Sequence, residues 1–238
     1  MRSILVLSAA SRAAFEAGLA SEADGLALDL AGAADVDVAR ENAAAWIAEA
    51  SGLGRPCLAL IHRLGSGLAD GDLDAVVAAR PFGILLPDAH GRRDAQHLGA
   101  KLAVREAEAG LPDGSCKILA LAADSPAAIF ELGTFTRGAR RLIGIGRDEL
   151  SLRRLLGVAA GASGERPEPL RVARALCLFA AAAAGAPAYD AAEPLEGEDF
   201  FRACAAASSD GFAGKLVLSA AQAKTVNDVF PQALAEKT

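Results

Sequence analysis

The chain has 238 residues, with 24 Lys plus Arg against 30 Asp plus Glu and a formal net charge of −6. That length suits a large α/β domain with ample buried core, and the acid excess argues against a nucleic-acid or acidic-membrane partner. Hydrophobic content is 53%, heavily alanine, with aromatics at 5%, so the helices are expected to pack through many small contacts.

The first apolar run is SILVL, Ser3–Leu7, too short for the apolar region of a secretory leader. Next come GLALD (Gly25–Asp29), PCLALI (Pro56–Ile61) and GILLP (Gly83–Pro87). KILALA (Lys117–Ala122), RLIGI (Arg141–Ile145), APAYD (Ala186–Asp190) and GKLVL (Gly214–Leu218) complete the series. Ala-rich segments with helical spacing separate most of them, such as DVARENAAAWIAEAS and RRDAQHLGAKLAVREAEAG, and Gly or Pro marks the joins. Strands that are apolar throughout are buried on both faces, as in a parallel sheet. The pattern predicts an α/β fold, a (β/α)8 TIM barrel, as a single domain over residues 1–238. A doubly wound open sheet is the alternative, but LVLSAASRAAF after the first strand lacks the Gly-rich phosphate fingerprint. The segment GVAAGASGERPEP, Gly157–Pro169, reads as a mobile loop before the seventh unit.

Cys57, Cys116, Cys177 and Cys204 are far apart and form no metal or redox spacing. They read as buried thiols in a reducing compartment. The longest apolar run, LCLFAAAAAGAPA, is shorter than the ~20 residues of a membrane span. A soluble, cytoplasmic protein is the expectation.

In a barrel, chemistry sits at the C-terminal ends of the strands. Those ends carry Asp29, His62 with Arg63, Asp88, Asp124 with Ser125, then Asp148 with Glu149, and Ser219. Carboxylates at adjacent strand ends suit Mg²⁺, which takes one or two of them and keeps waters for its substrate. Plainer roles compete at each position. Asp124 before Ser125-Pro126 has the look of a helix N-cap. Asp29 reads equally as a solvated strand-end carboxylate. Asp148 reads as solvent-facing or paired with Arg147 or Arg153. His62 is either a base or a hydrogen-bonded rim residue, and His90 and His97 read as surface residues.

Three stretches carry a resemblance: SGLADGDLDAVVAARPFGILLP, ADSPAAIFELGTF and DGFAGK…AQ…VND.F. Together, and in this order, the chain resembles the citrate lyase β-subunit family of the pyruvate/phosphoenolpyruvate-type aldolase superfamily. The resemblance runs over nearly the whole chain. It implies a (β/α)8 barrel, a homo-oligomer such as a trimer, and Mg²⁺-dependent cleavage or formation of C–C bonds. The implied substrate is a small molecule, a CoA thioester or an oxo-acid.

The resemblance also implies roles, and the departures from it fall on functional positions. The family's D-L-E-D reads DLAG here, so Asp29 stays and Ala31 and Gly32 replace acids. Its R-I-N reads LIH, placing Leu60 at the arginine and His62 at the asparagine. Its L-P-K reads LPD, putting Asp88 at the lysine, and its I-H-P reads LSA, Leu218 to Ala220. The metal positions keep charge: Asp124 stands at the glutamate of T-E-T-P and Glu149 at the aspartate of G-A-E-D-L. Asp124 and Glu149 are therefore the expected metal pair, and Asp29, Arg2 and His62 the expected catalytic residues. Arg2 and Arg63 are the expected replacements for the missing cationic anchor. The chain also stops sooner after the last strand than family members do, which implies a shortened C-terminal segment. Two readings stay open: a metal-dependent lyase or aldolase with altered or reduced activity, or a catalytically degraded barrel kept for binding, assembly or regulation.

Overall fold

The computed structural model of the chain describes residues 1–136, 139–158 and 166–231. Eight strands form: β1 (Ser3–Ser8), β2 (Gly25–Asp29), β3 (Cys57–Leu60), β4 (Gly83–Leu86), β5 (Lys117–Leu121), β6 (Leu142–Gly146), β7 (Ala188–Asp190) and β8 (Gly214–Val217). All pair in parallel in sequence order, and β8 pairs back to β1, which closes the barrel. The helices that follow are α1 (Arg12–Leu19), α2 (Val36–Gly52), α3 (Ala69–Val76), α4 (Gly91–Glu108), α5 (Pro126–Glu131), α6 (Glu149–Leu156), α7 (Glu168–Ala184), α8 (Gly197–Asp210) and α9 (Ala220–Val229). This is the expected (β/α)8 barrel. Of the loop expected over Gly157–Pro169, residues 159–165 lie outside the described residues.

Strand alternation sorts the apolar side chains into two layers. Ile4, Ala27, Leu58, Leu85, Leu119, Tyr189 and Leu216 fill the barrel. Leu5, Leu26, Ile84, Ile118, Ile145 and Val217 face outward against the helices. Glycine makes room where the packing is closest. A Cβ on Gly144 would lie 2.6 Å from the Tyr189 ring, so that ring fills the lumen beside β6. A Cβ on Gly214 would overlap the Arg2 carbonyl, to which Lys215 N–H donates at 2.7 Å, so closure between β8 and β1 requires this glycine.

Outside the barrel, Phe15 of α1 stacks on Trp46 of α2 with ring centroids 5.2 Å apart, a contact worth ~0.5–1.5 kcal/mol beyond the buried area. Helices start directly beyond the strand ends because short polar side chains cap them. Ser11, Asp35, Ser125, Asp148 and Ser219 each accept a backbone N–H of the first turn. The positive ends of these helices therefore surround the C-terminal mouth.

Candidate active site

Asp29 is the last residue of β2, in register with Ser8 and Leu60. Its Oδ1 accepts Gly32 N–H at 2.9 Å, closing the turn after the strand. A Cβ on Gly32 would lie 2.6 Å from Asp29 Oδ2, so the glycine is the space this carboxylate needs. Burial pushes the Asp29 carboxyl above its ordinary range, although the Gly32 and Ala31 N–H groups and His62 pull the other way.

Asp124 follows β5 and is buried. It is not the cap of α5, a role that falls to Ser125, which accepts from Ala128 N–H. Asp124 Oδ2 accepts Asp88 N–H at 2.7 Å, while Oδ1 is buried with no hydrogen-bond partner. Burial, with the charges of Asp88 and Asp148, pushes the Asp124 carboxyl up to about 7.

Asp88 presents its N–H to Asp124 through a left-handed backbone at φ 50°, a conformation aspartate tolerates better than most residues. Its side chain accepts Ser125 Oγ at 2.7 Å and lies 3.0 Å from His90 Nε2. His90 is thus part of this rim, whereas His97 is a surface residue as expected. Arg63 Nη1 lies 3.9 Å from Asp88, and the Arg63 side chain is 67% exposed. Arg63, Asp88, His90, Arg93 and His97 line a pocket of about 310 Å³.

His62 lies just beyond β3, and its ring is held from behind. Nδ1 is 2.7 Å from Asp72 Oδ2, and the same oxygen accepts His62 backbone N–H at 2.8 Å. Asp72 is fully buried on α3, and its Oδ1 accepts Arg40 Nε at 3.0 Å. Sequence reasoning missed Asp72. The available signal was its place in Ala69, Asp72, Leu73 and Val76, the buried face of α3, where an acid is out of character.

Glu149 corrects the expected metal pair. Its Oε2 accepts Arg147 Nη2 at 2.6 Å and Arg166 Nε at 2.8 Å, and its Oε1 accepts Arg153 Nε at 3.1 Å. Burial would raise the Glu149 carboxyl, but the guanidiniums of Arg147, Arg166 and Arg153 overrule it and hold it below the usual range. The network continues through Arg147 Nε to Asp190 Oδ1 at 2.5 Å and through Lys215 Nζ to Glu193 Oε2 at 2.6 Å. Tyr189 and Leu216 point into the barrel, so their neighbours Asp190 and Lys215 point out of it, toward the helices. Glu149 belongs to this outer layer. Asp148 caps α6, accepting Leu150 N–H at 3.0 Å, and is not paired with Arg147 or Arg153.

Arg2 is also corrected. It precedes β1, at the opposite mouth from the strand C-termini. There it donates to Asp24 through its backbone N–H at 2.7 Å and its guanidinium at 2.9 and 3.0 Å, and to the Asn227 carbonyl at 2.9 Å. A side chain held this way cannot reach Asp29, Asp124 or His62.

The mouth thus collects Asp29, His62, Arg63, Asp88 and Asp124 and leaves out Arg2 and Glu149. Among the described residues, no group of three or more His, Cys, Asp or Glu side chains is close enough to cage a metal ion. The four cysteines are buried free thiols, and among the described residues no helix is long and apolar enough to cross a membrane.

Comparison with solved structures places this barrel among known ones. RipC from Yersinia pestis is 22% identical, with 100% of this chain and 98% of that chain covered and a TM-score of 0.74. The citrate lyase β subunit from M. tuberculosis, complexed with oxaloacetate and magnesium, is 21% identical over 96% of each chain, with a TM-score of 0.78. The Haloferax volcanii malate synthase lead(II) complex is 18% identical, covering 100% of this chain and 75% of that one, with a TM-score of 0.80. No protein-family model and no curated protein matches the sequence. The fold is that of these (β/α)8 barrels, the citrate lyase β subunit among them.

Proposed function

We propose that this chain is a cation-assisted carbon–carbon lyase or aldolase for a small oxo-acid or its thioester, with a specificity altered from citryl-CoA cleavage. One observation carries the reading: the buried, unpartnered Oδ1 of Asp124. Burial, with the charges of Asp88 and Asp148, raises this carboxyl to about 7, and a bound cation would offset all three.

The residues fit Mg²⁺ through Asp124, not through the Asp124–Glu149 pair. Mg²⁺ needs only one or two carboxylates and fills its remaining positions with water and substrate. Asp124 has a free oxygen, whereas both oxygens of Glu149 are taken by arginines. When bound at Asp124, the cation would polarise a substrate oxygen.

The chain's own residues do the rest. Arg63, beside the 310 Å³ pocket, offers its exposed guanidinium to a substrate carboxylate. Asp29, raised by burial, holds a proton at the mouth more readily than an exposed carboxyl. Leu60, inward-facing and in register with Asp29, gives that wall of the lumen an apolar surface with no donor. Trimeric self-association belongs to the same proposal, with sedimentation as its check.

A second reading, a barrel that binds without turning over, is favoured by Leu60 together with the arginine-locked Glu149. The two separate in one assay. A panel of 4-hydroxy-2-oxo acids and 3-hydroxyacyl thioesters is incubated with the protein, with Mg²⁺ and with a chelator. The lyase reading expects Mg²⁺-dependent cleavage of at least one member, lost in Asp124→Asn. Binding with no cleavage across the panel supports the second reading.

A further inference from the structure

We infer that His62 is the proton-transfer residue of this mouth, with Asp72 as its positioning partner. The inference rests on the lyase reading above and deepens it.

The geometry has three parts. Asp72 Oδ2 lies 2.7 Å from His62 Nδ1, and the Asp72 carboxylate is ion-paired with Arg40, so Nδ1 carries the hydrogen and Nε2 the lone pair. The Asp72 side chain is fully buried and that of His62 is 14% exposed, so the ring is held yet partly open, and its charge is felt by Asp29 of the mouth. Nε2 has no partner among the described residues. The imidazole is also more than Asp72 requires. Asp72 already accepts His62 backbone N–H and Arg40 Nε, at 2.8 and 3.0 Å.

The chemistry follows from that free lone pair. In the cleavage direction, Nε2 takes the proton of the substrate hydroxyl. The O–H electron pair becomes the new C=O bond as the C–C bond breaks, and the C–C pair becomes the enolate of the departing fragment. The imidazolium, its charge offset by Asp72, then returns the proton to the enolate carbon. Nothing is oxidised or reduced. In reverse, Nε2 removes a proton from the carbon next to the carbonyl of an oxo-acid, so the substrate class is an oxo-acid with an enolisable C–H.

The test is exchange of the methyl protons of pyruvate in D₂O with Mg²⁺, followed by NMR. The unmodified protein is expected to exchange them above the protein-free rate. His62→Gln is expected to exchange about 10²-fold more slowly, with Mg²⁺ binding unchanged. Asp72→Asn is expected to slow exchange about 10-fold, the scale on which partners that orient an imidazole act. The ¹⁵N spectrum of His62 is the readout a merely structural role would not supply: it should show Nδ1 protonated in the unmodified protein and a mixture of tautomers in Asp72→Asn. His62→Gln exchanging at the unmodified rate, or Nδ1 bare in the unmodified protein, would overturn the inference while leaving the lyase reading in place. Absence of Mg²⁺ binding by the unmodified protein would remove the reading and the inference together.

Discussion

Glu149 Oε2 lies 2.6 Å from Arg147 Nη2, in the layer between the barrel and its helices. The Arg147 side chain is fully buried and also donates to Asp190 at 2.5 Å, so one guanidinium compensates two carboxylates drawn from β7 and α6. Removing Arg147 takes one cationic partner from each carboxylate, while Arg153 and Arg166 still hold Glu149 and Arg174 and Lys215 still hold Asp190, so the cost falls below the ~3–5 kcal/mol of a fully broken buried pair. Arg147→Met is therefore expected to lower unfolding stability by no more than ~3 kcal/mol, measured in urea. Cation affinity should stay unchanged, because Asp124 is not part of the cluster.

Asp124 links folding to pH. Its folded-state carboxyl is raised to about 7 by burial and by Asp88 and Asp148, whereas an unfolded aspartate releases its proton near 3.9. Between those values the folded state holds more protons, so stability falls as pH rises through the window. The loss is on the order of 2–4 kcal/mol by pH 8. Without divalent cations, Asp124→Asn should raise the melting temperature at pH 8 and flatten the decline. Mg²⁺ should restore the unmodified protein and leave the variant unmoved.

Glu106 sets the opposite limb. Its fully buried side chain accepts Arg141 Nη1 and Nη2, each at 2.7 Å, and Cys116 N–H at 2.7 Å. Burial would raise this carboxyl, but Arg141 and the backbone donors hold it down to about 2. Its stabilisation is complete above the ordinary glutamate range and is lost as pH falls toward 2. Glu106→Gln should destabilise at pH 7 and show a weaker acid-unfolding transition, followed by circular dichroism.

Leu60 bears on specificity. Cleavage of citryl-CoA or malyl-CoA is expected at background, because a missing charge-assisted anchor costs ~2–5 kcal/mol, or about 10²–10³ in rate. Leu60→Arg would place a guanidinium in register with Asp29 and should tighten oxaloacetate binding about 10-fold, read by calorimetry. Pairing it with Asp88→Lys would confound the result. Asp88 sits at φ 50° and holds both Ser125 and His90, contacts that lysine cannot replace.

The barrel was legible because its strands are buried on both faces. Each appears as an unbroken apolar run, and only the ends shift, as where APAYD shortens to Ala188–Asp190. The rim was legible in part, since strand ends name Asp29, His62 and Asp124 without further information. What the sequence hides is direction. Glu149 and Asp124 occupy similar places along their units, yet one faces three arginines and the other has a bare oxygen. Arg166, 17 positions from Glu149, reaches it only through the fold. Arg2 looked like a missing anchor because nothing local says which mouth it serves. Asp72, ten residues from His62 and on another element, carries no mark beyond being an acid on an apolar helix face.

Asp124, with its bare Oδ1, is the carboxylate proposed to take a divalent cation. Titration of Mn²⁺ into the protein, followed by its electron paramagnetic resonance signal with Mg²⁺ competition, tests that binding most directly. Saturable binding displaced by Mg²⁺, weakened at least about 10-fold in Asp124→Asn and unaltered in Arg147→Met, is the predicted result. No saturable binding by the unmodified protein, or equal binding by Asp124→Asn, would contradict the account.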